Sequence, residues 1–86
     1  MTATAGVLPD ALSNVPTPAG LVDLEVATRN ARRAARYCES HGLAWRPHVK
    51  THKSLAAARI ELEAGASGLT VATPREAEVM SRVTDD

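Results

Sequence analysis

The clearest pattern of apolar and polar positions begins at Glu25 and runs to His41. Small apolar residues recur there at intervals of four, three and four positions, at Ala27, Ala31, Ala34 and Cys38. This spacing puts them along one face of a helix, while arginines and glutamates occupy the other face. Gly42 follows and can adopt the left-handed conformation that ends many helices. The pattern therefore predicts an amphipathic helix that packs closely against another element.

Two further helices are predicted mainly by the residues at their ends. Ser54 can cap a helix over residues 55–64, and Gly65 can close it. A third helix begins at Thr73-Pro74-Arg75-Glu76, which combines a capping box with proline at the first helical position. The apolar positions of this last helix extend to Val83. We therefore expect it to continue almost to the end of the chain.

Three short apolar runs predict strands over residues 21–24, 43–49 and 68–72. Strands that are joined through a helix lie parallel in nearly all known cases. Parallel sheets are normally covered on both faces and contain several strands. The sequence thus predicts an α/β fold whose two central strands belong to a larger sheet. Residues 1–16 are expected to form an irregular lead-in, and residues 17–86 the domain.

The length of 86 residues allows one small domain, and ten basic and ten acidic residues leave no net charge at pH 7. This balance argues against binding to nucleic acid or an anionic membrane through the bulk charge of the chain. The single cysteine, Cys38, excludes an intrachain disulfide and suits a reducing compartment. The chain has neither a run of about 20 apolar residues nor a signal-peptide pattern. We expect a cytoplasmic protein with no nucleic-acid or membrane partner.

Residues 46–53 form the densest polar cluster and read Arg-Pro-His-Val-Lys-Thr-His-Lys. They include both lysines of the chain and two of its three histidines. In α/β barrels, the active site lies at the carboxyl ends of the strands and in the loops that follow. Arg46, His48 and Lys50 share one face if the strand is regular. This cluster is the leading candidate for a functional site.

Spacing alone leaves four interpretations of the cluster open. It can be a solvated basic loop, or a nucleic-acid patch, although the absence of interleaved aromatic residues opposes the second. A zinc site at His48 and His52 requires a helix, because residues four apart on a strand stand about 13 Å apart. In the fourth interpretation Lys50 forms a Schiff base. Such a lysine must lose its proton, and neighbouring cations favour that loss.

Several short stretches also occur in the order in which one enzyme group has them. They are Thr17-Pro18-Ala19, residues 21–24, 46–54 and 64–68, Thr70-Val71-Ala72-Thr73, and residues 76–79. In this order they resemble the D-threonine aldolase and D-serine dehydratase group, fold-type III pyridoxal-phosphate enzymes with an alanine-racemase-like barrel. The resemblance implies the opening βα units of a TIM-type (β/α)8 barrel, which takes about 250 residues when complete. The chain is therefore expected to supply an incomplete barrel.

The resemblance also implies roles for individual residues. Lys50 is the expected catalytic lysine, forming the Schiff base with pyridoxal 5'-phosphate, and His48 and His52 are expected to flank the cofactor. Lys53 is expected to be a supporting charge. Members of the group typically use a divalent metal near the substrate hydroxyl, with ligands in a later domain. No metal ligand is therefore expected in this chain.

Two lyase reactions on D-amino acids fit the resemblance. One is aldol cleavage of a D-threonine-like β-hydroxy amino acid, and the other is dehydration of D-serine. The isolated chain is expected to be inactive, because the group's phosphate-binding loops and metal ligands have no counterpart in it. The alternatives are a small non-enzymatic α/β binding module and a subunit completed by another chain. The partners expected besides a D-amino acid substrate are a second copy in a homodimer or that completing chain.

Overall fold

The structure, a computed structural model, describes residues 12–86 and consists mainly of three helices. These are α1 (Leu24–Ser40), α2 (Leu55–Ala64) and α3 (Pro74–Met80). Most of the lead-in expected over residues 1–16 lies outside the described residues, so the proposed division of the chain at residue 17 stays a prediction. None of the helices in the described range is long and apolar enough to cross a membrane.

Helix α1 begins one residue earlier than the apolar pattern predicts, because Asp23 caps it. The Asp23 carboxylate accepts the backbone N–H groups of Glu25 at 3.0 Å and of Val26 at 3.2 Å. These two bonds satisfy amide groups that have no partner inside the helix. The strand predicted over residues 21–24 is therefore wrong: residues 21–23 form no regular element, and Leu24 is already helical.

The end of α1 follows the prediction made from Gly42. This residue has a φ of 65°, in the left-handed region, and its N–H group bonds the carbonyl of Glu39. The next residue, Leu43, donates its N–H group to the carbonyl of Cys38 at 2.8 Å. The two bonds together form a Schellman motif, which satisfies the last carbonyl groups of the helix.

Helix α2 has the predicted bounds, since its end signals are local. The Ser54 hydroxyl accepts the N–H group of Ala57 at 3.2 Å, and Gly65 ends the helix with a φ of 127°. A Cβ atom at Gly65 would lie 3.4 Å from the Cβ atom of Ala35. Residues without large side chains thus allow α1 and α2 to approach closely at this end.

Helix α3 begins at Pro74 as predicted but ends at Met80, before Val83. The Thr73 hydroxyl accepts the N–H group of Glu76 at 3.1 Å. The expected return bond is shifted by one residue, because the Glu76 carboxylate accepts the N–H group of Ala72 at 2.9 Å. Val83 lies in a turn after the helix and still packs against the core, which accounts for its apolar character.

In place of the predicted strands 43–49 and 68–72, the described residues contain one isolated parallel bridge, between His48 and Thr70. Val49 donates its N–H group to the Thr70 carbonyl at 3.0 Å, and Thr70 donates to the Pro47 carbonyl at 2.9 Å. The parallel direction agrees with the expectation. A regular ladder does not form, so the two segments are extended but do not make a sheet.

The second extended segment bends, which explains why the ladder stops. In a regular strand, alternate residues direct their N–H groups to the same side. Here the Ser67 N–H group donates to the Trp45 carbonyl at 2.8 Å, whereas the Leu69 N–H group donates to the Asp86 carbonyl on the other side at 2.9 Å. The chain therefore bends at Ser67. At the next residue, Gly68, a Cβ atom would lie 2.6 Å from a guanidinium nitrogen of Arg46 and 2.7 Å from the Asp86 carbonyl oxygen.

These hydrogen bonds put two extended segments and Asp86 side by side in the order of the sequence. Residues 45–49 lie beside residues 67–70, whose other side meets Asp86. Helix α2 contacts both α1 and α3. Its residue Ala58 packs in one buried cluster with Val49 and Leu69 of this layer. Residues 12–86 do not close into a barrel, so the complete (β/α)8 architecture is not seen in this part of the chain.

The core lies between the extended segments and the helices. It is formed by four buried residues, Val49, Ala58, Leu69 and Met80, with Leu55, Leu62, Val71 and Val83 packed against them. Burying a side chain the size of valine contributes about 1.5–3 kcal/mol. A core of this size is modest, and it secures the position of the segment that leads into Lys50.

Candidate functional site

The segment that leads into the polar cluster alternates between buried and exposed residues. Pro47 and Val49 are buried, whereas Arg46, His48 and Lys50 are exposed. Side chains of an extended segment point alternately to opposite faces. The structure therefore places Arg46, His48 and Lys50 on the face that is turned away from the core.

A tight turn follows this segment and carries Lys50. Lys53 donates its N–H group to the Val49 carbonyl at 2.8 Å, and His48 accepts the N–H group of Lys50 on Nδ1 at 3.2 Å. Lys53 has a φ of 51°, which is uncommon for a residue with a side chain. Such a conformation costs about 1–3 kcal/mol and persists only where the surroundings enforce it.

His52 points toward α2 and joins the turn to that helix. Its Nδ1 atom accepts the N–H group of Ser54 at 2.9 Å, and its Nε2 atom lies 2.9 Å from the Glu61 carboxylate. A backbone N–H group can only donate, so Nδ1 carries no proton in this arrangement and Nε2–H donates to Glu61. Both ring nitrogens are thus engaged within this part of the chain.

This geometry opposes the zinc interpretation of the two histidines. His52 has both ring nitrogens in hydrogen bonds, and His48 uses Nδ1 to hold the Lys50 amide. Among residues 12–86, no group of three or more histidine, cysteine, aspartate or glutamate side chains could hold a metal ion.

Lys53 lies at the other end of the turn and reaches α3. Its ammonium nitrogen is 3.7 Å from a carboxylate oxygen of Glu76. The Glu76 side chain is only 10% exposed, and its other oxygen accepts the N–H group of Ala72. One buried carboxylate thus holds the loop that follows residues 67–70 and also faces the turn that follows residues 45–49.

The ammonium group of Lys50, by contrast, has no hydrogen bond or ion pair within residues 12–86. The two permanent cations expected around it are both paired with acids. Arg46 pairs with Asp86, and Lys53 pairs with Glu76. Of the two lysines in the chain, Lys50 alone thus keeps an unpaired amine in the described structure.

Sequence reasoning did not identify the partners of these side chains, Glu61, Glu76 and Asp86. Glu61 had a usable signal for its pairing with His52. It lies seven residues, or about two helical turns, after Ser54, and therefore on the face of α2 that is nearest the turn containing His52. Glu76 was predicted only as a helix cap. The pairing of Arg46 with Asp86 spans 40 positions and has no local signal.

Lys50 lies on an open face of the described structure. Three clefts among residues 12–86 run along α1 and between α1 and α2, and one of them is lined by Cys38, Leu43 and Trp45. None of these clefts includes Lys50, His48 or His52. An enclosed site around Lys50 therefore requires surfaces other than those described.

Comparison with known proteins identifies clear relatives, although no family model matches the chain. The chain is 45% identical over 69 residues to D-threo-3-hydroxyaspartate dehydratase of Delftia sp. (strain HT23), which covers 80% of the chain. It is 34% identical over 71 residues, 81% of the chain, to 3-hydroxy-D-aspartate aldolase of Paracoccus denitrificans. It is 37% identical over 60 residues, 70% of the chain, to D-threonine aldolase of Arthrobacter sp..

A solved structure agrees with these sequence relatives. The fold matches part of a D-threo-3-hydroxyaspartate dehydratase H351A mutant with a TM-score of 0.76 and 42% sequence identity. The match covers 85% of this chain and 19% of that one. The chain spans 18% of the length of the dehydratase and of the hydroxyaspartate aldolase, and 16% of the D-threonine aldolase.

Proposed function

Because this chain belongs to the family of fold-type III pyridoxal-phosphate enzymes that includes D-threonine aldolase and D-threo-3-hydroxyaspartate dehydratase, we propose that it supplies the cofactor lysine of a D-amino acid lyase. That lysine is Lys50. The observation that carries the proposal is the unpaired amine of Lys50, next to a second lysine that is held in an ion pair.

The extent of the match supports this choice of residue. A 69-residue stretch of an 86-residue chain cannot begin after residue 18 or end before residue 69, so it includes Lys50. The same reasoning applies to the 60-residue match with D-threonine aldolase, which must include residues 27–60. Lys50 therefore lies within the portion shared with these relatives.

The arrangement of the extended segments supports the barrel that the sequence implies. A (β/α)8 barrel adds each parallel strand beside the previous one, with its active site at the carboxyl ends of the strands. Residues 45–49, 67–70 and Asp86 lie side by side in that order, and Lys50 follows the carboxyl end of the first segment. We propose that residues 17–86 are opening βα units of such a barrel, with residues 1–16 as a lead-in.

The residues present fit the cofactor at its aldehyde end. A lysine that carries pyridoxal phosphate needs a free amine, and the described residues leave that of Lys50 unpaired. His48 holds the Lys50 backbone from the same exposed face and would lie beside the cofactor. His52 is turned toward Glu61, so its proposed part is to orient the turn. When bound, the cofactor supplies the electron sink for bond cleavage next to the amino acid α-carbon.

The proposed substrates are β-hydroxy-D-amino acids. The relatives are named for 3-hydroxyaspartate and D-threonine, which both carry a hydroxyl on the β-carbon. The proposed reaction is either aldol cleavage or dehydration of such a substrate, D-serine included. A divalent metal near the substrate hydroxyl, as expected for the family, would need ligands beyond residues 12–86.

The test is to incubate the purified chain with pyridoxal phosphate, reduce it with borohydride and locate the modified lysine by peptide mass spectrometry. We expect the label on Lys50, and we expect Lys50→Ala to abolish it. Lys53→Ala is the matched control and should retain the label on Lys50. Preferential labelling of Lys53 would contradict the proposal. The 86-residue chain itself should not turn over D-threonine or D-threo-3-hydroxyaspartate.

A second candidate, a structure completed by another polypeptide or a second copy, is favoured by an open backbone edge. The two bonds of the bridge use the Pro47 carbonyl and the Val49 N–H group on one side of the segment. The N–H and carbonyl groups of His48 therefore point to the other side, away from residues 67–70. Leu21 and Val22 are also 65% and 64% exposed. Sedimentation analysis would show a defined dimer if a second copy covers this edge, and a monomer would exclude that form of completion.

A further inference from the structure

Two loops at the same edge of the molecule are joined by one ion pair. The first loop, residues 50–54, follows the extended segment 45–49 and carries Lys50. The second, residues 71–73, follows the segment 67–70 and leads into α3. Because the two segments are parallel, both loops leave from their carboxyl ends. The Lys53–Glu76 pair spans the gap between the loops.

This pair differs from an ordinary ion pair on a helix surface. Glu76 is 10% exposed, and one of its carboxylate oxygens accepts the Ala72 N–H group while the other faces Lys53. The exposed pair Arg75–Glu78 on the same helix has side chains that are 76% and 72% exposed. Screening by water leaves such exposed pairs with little effect. The Lys53 side chain is also 67% exposed, so what distinguishes this pair is the buried Glu76 carboxylate, which the Ala72 N–H group holds in place.

The backbone at Lys53 supplies a second, independent observation. Its φ of 51° places this residue in the left-handed region, although glycine would adopt that conformation without strain. The conformation closes the turn through the Lys53–Val49 hydrogen bond. A lysine at this position contributes an ion pair that glycine could not make, because its side chain reaches Glu76 on α3.

We propose that Lys53 is a positioning residue, which fixes the turn that carries Lys50 against the following loop through Glu76. The inference rests on the proposed function of Lys50 and extends it to the second lysine of the cluster. The two lysines then have separate tasks. Lys50 reacts with the aldehyde of the cofactor, and Lys53 holds the turn so that the Lys50 amine stays at the carboxyl edge of the extended segments.

The first experiment does not involve the cofactor. Hydrogen exchange at the amides of Lys53 and Ala72 is measured by NMR in the unaltered chain and in two variants, Lys53→Met and Glu76→Gln. Both variants remove the ion pair, while the side-chain oxygen of the introduced glutamine can still accept the Ala72 N–H group. We expect both amides to exchange about two- to fivefold faster, the range that corresponds to a partly exposed ion pair. Arg75→Met is the matched control and should change neither amide.

The second experiment measures the initial rate of borohydride-trapped pyridoxal-phosphate labelling at Lys50, in conditions where every variant is fully folded. A positioning role predicts that Lys53→Met and Glu76→Gln lower this rate alike, by about two- to fivefold. The conservative variant Lys53→Arg should restore it. If Lys53 acted only through its charge, Glu76→Gln would leave that charge unpaired, and the two variants would change the rate in opposite directions.

The outcomes separate this inference from the function on which it rests. Absence of any Lys50 label in the unaltered chain would contradict the proposed function, while the exchange rates would still decide whether the two loops are coupled. Unchanged exchange in both variants would overturn the coupling. Faster exchange with an unchanged labelling rate at Lys50 would overturn the positioning role.

Discussion

His52 donates from Nε2 to the Glu61 carboxylate at 2.9 Å and thereby links the turn after Lys50 to the middle of α2. Both side chains are about four-fifths buried, at 21% and 18% exposure. The Ser54 N–H group fixes the other ring nitrogen at 2.9 Å. The ring is thus held in one tautomer by two bonds, and its orientation does not depend on a cofactor.

Replacement of His52 by alanine should lower the free energy of unfolding by about 1–3 kcal/mol, because the largely buried Glu61 carboxylate loses its partner. Glu61→Gln should cost less, since a glutamine oxygen can still accept the Nε2–H bond. Urea titration of the two variants measures the difference. Equal destabilisation by both would contradict the assigned tautomer and the direction of this bond.

Replacement of Gly68 by alanine should destabilise the fold by about 1–3 kcal/mol, the usual range for an added methyl group that forces its surroundings to move. Its Cβ atom would lie 2.7 Å from the Asp86 carbonyl oxygen and 2.6 Å from Arg46. Gly20→Ala is the matched control, because no atom lies within 4 Å of a Cβ there. Thermal denaturation should show a lower Tm for the first variant only.

Truncation of Met80 to alanine should lower the free energy of unfolding by about 2–5 kcal/mol, because it opens a cavity in the core. Met80 is 3% exposed and packs with Val49, which positions the turn that follows. The control is Leu43→Ala, where the side chain is 57% exposed and the expected change is within about 0.5 kcal/mol. A small change in the free energy of unfolding for Met80→Ala would show that Met80 is not part of the stabilising core.

Replacement of Asp23 by alanine should reduce stability by about 1 kcal/mol, the typical cost of losing an N-cap side chain. The carboxylate accepts two backbone N–H groups at the start of α1. Asp85→Ala serves as the control for removal of one negative charge, since Asp85 is exposed. Circular dichroism during urea titration should show earlier loss of helix for Asp23→Ala alone.

The helices were predictable because their signals are local. Ser54, Gly65 and Thr73 each fix a helix end through bonds to residues within four positions, and Gly42 does so through its left-handed backbone. Asp23 was misjudged because the apolar residues on either side of it resemble a strand. An N-cap aspartate directly before a helical pattern is the stronger signal.

The strands could not be predicted in the same way, since a parallel ladder depends on neighbours that are distant in sequence. The close approach of Arg46 and Asp86 to Gly68, beside the bend, also involves residues that are not local to it. The sequence did predict that Arg46, His48 and Lys50 of the polar cluster share one face. It did not predict that the turn is held on one side by Glu61 and on the other by Glu76.

The side-by-side order of the extended segments has a consequence for how the chain folds. Residues 67–70 pair with the segment immediately before them in sequence, and α2 between them contacts its own neighbours α1 and α3. Each pairing becomes available as soon as its second segment has been synthesised, so this region can start to assemble during translation, from its amino-terminal side onward.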